Sequence, residues 1–362
     1  MNDRYGQLNE ISISGFKSIN KCKVELKNIN ILIGSNGAGK SNFISAFTLL
    51  QSILREELQL YVQQSGVNSL FYNGRKETDQ IYFEVFFGNN SYGFCLIPTD
   101  DNRVIFKKEF YGWENNESMV AAAHEESKWE KGAANDINSY VYPILKKKMW
   151  RVYHFHDTGR TAKVKQEHNI SNNKVLLYDA ANLAAFLYKL RNKYEKSYNE
   201  IVETIRLIAP YFDDFVLEPQ DNNDEQIVLR WQQRGSEDIF NASQFSDGTL
   251  RFICLTTLML QPSELQPATI IIDEPELGLH PYAITMFAEM VKQISNKKQI
   301  IISTQSVELL NEFDVEDVIV VDKGKDGSQF KRLNEDELAE WLDDYSIGEL
   351  WQKNILGGRL SG

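Results

Sequence analysis

The sequence predicts an α/β fold with a parallel core sheet, a mixed or antiparallel N-terminal sheet and a helical insertion. Three observations predict it. Ile31-Leu32-Ile33-Gly34-Ser35-Asn36-Gly37-Ala38-Gly39-Lys40-Ser41 matches G-x-x-x-x-G-K-[ST] between an apolar run and a helix-compatible run, Asn42 to Ile53. Ile270-Ile271-Ile272-Asp273-Glu274-Pro275 is an apolar run that delivers two acids at its end. Apolar runs at 268–272, 299–303 and 317–321 surround a helical stretch, Tyr282 to Ile294, the signature of parallel strands covered on both faces.

Taken in order, Leu8 to Ile13 alternates apolar and polar residues, as does Cys22 to Leu26, and both read as strands ahead of the glycine-rich loop. Ile81–Phe87 and Tyr92–Ile97 flank Gly88-Asn89-Asn90 and read as a hairpin, with a further strand from Val104 to Tyr111. Residues 112–140 are polar and read as an insertion or mobile loop. From Asn182 to Ala209 apolar residues fall at helical spacing until Pro210. This is either a short coiled-coil arm or an amphipathic helix on the body, and a span of about four heptads favours the packed helix. Val216–Glu218 and Gln226–Gln232 read as strands, and Glu335–Asp344 as a helix with a solvated acidic face. The expected organisation is an N-terminal lobe over 1–145, a basic, helical middle over 146–215 and a C-terminal lobe over 216–362.

Composition is that of a globular protein, with 42% hydrophobic and 25% charged residues. No apolar run is long enough for a membrane helix, and the N-terminus carries no secretory pattern. Cys22, Cys95 and Cys254 show neither metal nor disulfide spacing, so a cytoplasmic setting is expected. A net charge of −12 argues against a protein that coats nucleic acid uniformly. Charge is nonetheless uneven. Residues 146–193 hold 11 Lys+Arg against 3 Asp+Glu, and residues 312–344 hold 12 Asp+Glu against 4 Lys+Arg. The basic stretch is either a local phosphate-backbone footprint or a solvated surface that meets the acidic segment.

The loop carries the chemistry. Backbone N–H groups of a glycine-rich turn at a helix N-terminus point at a polyphosphate, Lys40 reaches the β- and γ-phosphates, and Ser41 can hold Mg²⁺. Asp273 at a strand end would hold Mg²⁺, and Glu274 would activate water. Between these motifs lies Phe245-Ser246-Asp247-Gly248-Thr249, a polar turn entering a helix with Ser246 as N-cap, which also fits a phosphate grip made of one hydroxyl and exposed N–H groups.

On these residues the chain resembles the ABC-type ATPases of the RecF, SMC and OLD group. Their helix-opening signature is similar to Ser246-Asp247-Gly248, with Asp247 where a glycine is usual. Ile13–Ile19 looks like the group's first strand, and Asn36 and Asn42 fit its Gly-x-Asn-Gly-x-Gly-Lys-Ser-Asn pattern. Glu276-Leu277-Gly278-Leu279-His280-Pro281 looks like the segment that contacts the opposite subunit. Gln305 in Ser303-Thr304-Gln305-Ser306 stands at a switch position often held by His, a departure that bears on turnover. Trp150–Thr158 and Glu349–Arg359 look like compact stand-alone ATPases of bacterial defence and mobile-element loci.

The resemblance implies an ABC-ATPase head with ATP and Mg²⁺ as ligands. Asn36, Gly37, Gly39, Lys40, Ser41 and Asn42 would bind nucleotide, and Ser41 and Asp273 the metal. Glu274, Gln305 and Lys40 would be catalytic, with Ser246 and Gly248 serving the ATP of a second copy. It also implies a head-to-tail homodimer or higher homo-oligomer that regulates a separate effector, a nuclease being one candidate, in anti-phage defence. A RecF-like clamp on DNA and an ATP-dependent scaffold with little turnover are the alternatives. The chain after Ser306 is too short for the nuclease domain of OLD relatives, so no nuclease is expected within it, and a transporter role lacks a coupling segment. His154 and His156 share one face of a strand, but His124 and His168 lie in polar stretches and no third ligand has a recognisable spacing. A structural or nucleotide-proximal role is expected for them rather than a metal site.

Overall fold

The computed structural model describes residues 7–114, 116–132, 140–146, 150–220 and 223–357. Its centre is a six-stranded sheet. Strands Val318–Gly324, Ile29–Ile33, Gln299–Thr304, Thr269–Asp273 and Trp150–Tyr153 lie side by side and parallel, and Gly327–Arg332 adds an antiparallel edge. The inner strands are continuously apolar because both faces are covered. Ile31, Ile33, Ile270, Ile272, Ile300 and Ile302 face one core, where helices Leu183–Lys193, Glu195–Ile208, Asp247–Leu260 and Pro281–Ser295 pack. Leu32, Ile271, Ile301, Ile319 and Val321 face the other, beneath helix Lys40–Leu54 and a second sheet. The alternation of neighbours between two cores is the period-2 geometry of a strand.

The second sheet is antiparallel, ordered Ile19–Glu25, Glu10–Phe16, Ile81–Phe87, Asn90–Pro98, Val104–Trp113 and Asn116–Ala121. Gln299 ties it to the central sheet. Its side-chain amide donates to Leu8 O (2.7 Å) and Lys27 O (3.0 Å), and its oxygen accepts from Leu8 N (3.3 Å) and Thr269 Oγ1 (2.9 Å). With Gln299 1% exposed, each partner replaces a bond to water that folding removed.

Several expectations need correction. The 112–140 stretch is not simply a loop. Asn116–Ala121 extends the sheet, Trp129 is buried, and Glu109 is buried among Tyr92, Ser127 and His124, so His124 sits inside the fold. Residues 133–139 of that stretch lie outside the described residues. The long helix over 182–209 is two helices that break at Tyr194, and their apolar faces enter the core, as the packed alternative requires. A boundary at 145/146 does not separate lobes of the sheet, because Trp150–Tyr153 is one of its parallel strands. No helix among the described residues is long and apolar enough to cross a membrane.

Candidate functional site

Four neighbouring parallel strands end at one crest, the position where α/β sheets bind ligands. Ile29–Ile33 leads into the Gly34–Ser41 loop, Gln299–Thr304 into Gln305, Thr269–Asp273 into Glu274, and Trp150–Tyr153 into His154. Register keeps these ends level, with Thr304 opposite Ile33 and Asp273 opposite Ser303. Residues scattered over the chain thus meet because parallel strands point the same way.

The loop curls through glycines at Gly37 (φ 79°) and Gly39 (φ 119°) before helix Lys40–Leu54 begins without a side-chain cap. Gly39 is required twice over: its φ is left-handed, and a Cβ there would lie 2.0 Å from Ser328 Oγ. Asn36, Gly37 and Ser41 are exposed, while Lys40 is buried with its ammonium on Gly34 O (2.6 Å) and Ser35 O (3.3 Å). Burial pulls the Lys40 pKa down, and the charges of Glu274, Asp273 and Glu276 push it back up. Asn42 points away from the curl. Its amide donates to Ser18 Oγ (2.7 Å), which meets Ser328 Oγ (2.7 Å), which donates to Ala38 O (2.6 Å). This relay fastens the loop to the first hairpin and to the edge strand. An uncapped helix start and a cation held in the curl suit a polyphosphate, and the exposed Ser41 hydroxyl at the helix start suits a hard divalent ion.

Opposite the loop, Ser303 Oγ donates to Asp273 Oδ1. Glu274 is held in the left-handed region at φ 43°, its N–H on Ser303 O (2.8 Å). A non-glycine residue there costs on the order of 1–3 kcal/mol, strain that gathers at functional sites. Gln305 Nε2 donates to Glu274 Oε1 at 2.5 Å. Glu276, which the sequence placed only in the segment that contacts the opposite subunit, is buried at the crest. Its Oε1 accepts from Thr304 Oγ1 (2.6 Å) and Gln305 N (3.2 Å), and its Oε2 has no partner. Burial raises its pKa.

Ser246 caps helix Asp247–Leu260 by accepting from Thr249 N (3.1 Å), and it stays exposed. Gly248 has a packing reason that the motif did not reveal: a Cβ there would lie 2.3 Å from Gly278 O. The helix start is thereby docked on the loop after the acids, where Leu277 (41% exposed) and Tyr282 (50%) face solvent. Arg251, on the same helix, is buried and donates to Phe155 O (2.9 Å) and His156 O (3.0 Å). Burial lowers its pKa, countered first by Asp247.

His154 and His156 reach the crest after all. His154 Nδ1 lies 3.8 Å from Asp273 Oδ2, and ligand atoms of His154, His156 and Asp273 all fall within 4.8 Å of one another. The third partner is remote in sequence, so no spacing rule could have found it. Burial lowers the His154 pKa despite the nearby Asp273. In the basic stretch, Lys163 pairs with Asp179 and Lys165 with Asp247, while residues 147–149 lie outside the described residues.

A parallel sheet with a glycine-rich loop and an acid-tipped strand at one crest, flanked by an antiparallel sheet, is the head of an ABC-type ATPase of the SMC and OLD group. The chain belongs to the family described as "AAA domain, putative AbiEii toxin, Type IV TA system", matched over residues 29–311. It is 23% identical over 378 residues to the Old nuclease of Escherichia phage P2, a match covering 92% of this chain and 62% of that protein. The chain thus spans less than two thirds of that relative. Its fold is similar to an SMC head bound to the C-winged helix domain of ScpA (TM-score 0.62, 15% identity, 92% of this chain and 99% of that one). It is also similar to an SMC head with an extended coiled coil bound to the C-terminal domain of ScpA, from Pyrococcus furiosus (TM-score 0.54, 14% identity, 93% and 98%).

Proposed function

We propose that this chain binds and hydrolyses ATP with Mg²⁺, closes head-to-tail around the nucleotide with a second copy of itself, and thereby switches a separate effector protein in defence against phage. The observation that carries the reading is electrostatic and geometric. One lysine sits in the curl of an uncapped helix start, facing Glu274, Asp273 and Glu276 across neighbouring strand ends.

Ser41 and Asp273 would hold Mg²⁺, which neutralises charge on the β- and γ-phosphates. Lys40 supplies a fixed positive charge to the same phosphates. Glu274 accepts the proton of the attacking water, and Gln305 positions that carboxylate through its amide. Asn36, Gly37 and Gly39 offer backbone N–H groups, and Asn42 acts by holding the loop through Ser18. Ser246 and Gly248, at an exposed helix start, would grip the ATP of the partner copy, with Leu277 and Tyr282 at the contact. The link to defence rests on the family and on the phage relative.

Phosphate release tests the enzyme reading. Wild type turns over, Lys40→Ala loses binding and turnover, and Glu274→Gln keeps ATP bound but stops turnover. Turnover that persists in Glu274→Gln refutes the assignment of the base, and a wild type that holds ATP without releasing phosphate is the scaffold. A second reading, a clamp on DNA, is favoured by the net positive 146–193 stretch. Duplex binding that is salt-sensitive and disappears on charge reversal at Lys146, Lys147 and Lys148 would establish it.

A further inference from the structure

We propose that His154, His156 and Asp273 form a binding site for a first-row transition-metal dication, selected over Mg²⁺ by its two imidazoles. The proposal goes beyond the ATPase reading and shares Asp273 with it.

The site is built by the fold. The strand Trp150–Tyr153 ends just before the histidines; in the segment that follows, Phe155 is buried between them, and the ligand atoms of both rings gather with Asp273. The backbone of this segment is pinned along its length. His154 N donates to Tyr178 O (2.9 Å), and Arg251 grips Phe155 O and His156 O. On the other side, Ser303 Oγ occupies Asp273 Oδ1, which leaves Oδ2 facing His154. A carboxylate with one oxygen held by a donor and the other turned to a ligand position is an outer-shell arrangement that orients metal ligands.

The distances suit a metal. Bonds of about 2.1 Å at angles between tetrahedral and octahedral put donor atoms about 3.0–3.4 Å apart. The His154–Asp273 pair stands at 3.8 Å, and no pair in the group exceeds 4.8 Å. Small side-chain rotations close the difference, because the rings are side by side with centroids 6.0 Å apart and planes inclined by 33°. Mg²⁺ keeps an oxygen shell and dehydrates reluctantly, whereas imidazole suits cobalt, nickel, zinc and iron. Three protein ligands also leave positions open for water or a phosphate oxygen.

The test is titration of the full chain with Co²⁺ alone, without nucleotide, followed by visible absorption. Wild type is expected to bind one ion with ligand-field bands that millimolar Mg²⁺ does not remove. Outer-shell changes alone weaken metal sites about 10–100-fold, so losing both imidazoles in His154→Ala/His156→Ala weakens binding by at least about 100-fold. His156→Gln, which keeps volume and polarity, decides the matter if the double variant does not fold, with a loss of at least about 10-fold expected. Lys40→Ala keeps the Co²⁺ spectrum while losing ATP, so failure of either reading leaves the other standing. Equal Co²⁺ binding by wild type and His156→Gln, displacement by equimolar Mg²⁺, or a wild type without bands overturns the proposal.

Discussion

Ser328→Ala tests whether the phosphate loop is held by the relay from the edge strand. Ser328 is 3% exposed, lies 290 residues from Ala38 in the chain, and belongs to none of the sequence motifs, yet it packs against the loop. Its hydroxyl donates to Ala38 O at 2.6 Å and meets Ser18 Oγ at 2.7 Å. Two hydrogen bonds are worth about 1 kcal/mol each net, and leaving the Ala38 carbonyl without its donor adds about 1 kcal/mol. Ser18 keeps its bond from Asn42, so part of the relay survives. A loss of about 3 kcal/mol in loop order corresponds to about 150-fold weaker ATP binding. Calorimetric titration with a non-hydrolysable ATP analogue measures it, with thermal unfolding alongside to capture any share that falls on global stability. An affinity within about twofold of wild type and an unchanged melting temperature would refute the reasoning, since the buried carbonyl would then have cost nothing.

Three further outcomes follow from the same geometry. Gly248→Ala puts a methyl 2.3 Å from Gly278 O, an overpacking that costs about 1–3 kcal/mol; thermal unfolding should shift down, and phosphate release should fall along with it. Gln305→Ala removes the donor to Glu274, and because the pair is open to solvent the expected loss is about 3–10-fold in kcat with ATP affinity near wild type, read by steady-state kinetics. Glu276 has a folded pKa raised by burial above its unfolded value, so it binds its proton more tightly in the native state and stability is lost as pH rises from the ordinary carboxylate range through the raised value. Glu276→Gln removes that penalty. The variant should be more stable than wild type at pH 7.5, and the gain should vanish by pH 4 in melts across that range.

The fold was legible wherever chemistry and periodicity fell within one stretch of chain. Gly34–Ser41 and Ile270–Glu274 announce themselves because a loop and an acid tip need particular residues beside an apolar strand. Trp150–Tyr153 did not. Four residues, one of them Arg151, carry too little pattern to mark a strand, and only the neighbouring Thr269–Asp273 makes them one. Asn42 looked like a nucleotide contact because it follows the loop, yet its amide is spent on Ser18. Gly248 read as a phosphate grip, and its close approach to Gly278 appears only in three dimensions. The grouping of His154 and His156 with Asp273, and of Ser18 with Ser328, joins residues far apart in the chain, which a search for short spacings does not reach.

The central claim is that Lys40 and Ser246 act on the same nucleotide from two copies of the chain. Sedimentation of Glu274→Gln with and without ATP tests it most directly, because that variant should hold ATP without consuming it. The account predicts a monomer without nucleotide and a dimer with it, and a return to monomer when Ser246→Arg is added. A Glu274→Gln protein that binds ATP and still sediments as a monomer would contradict it.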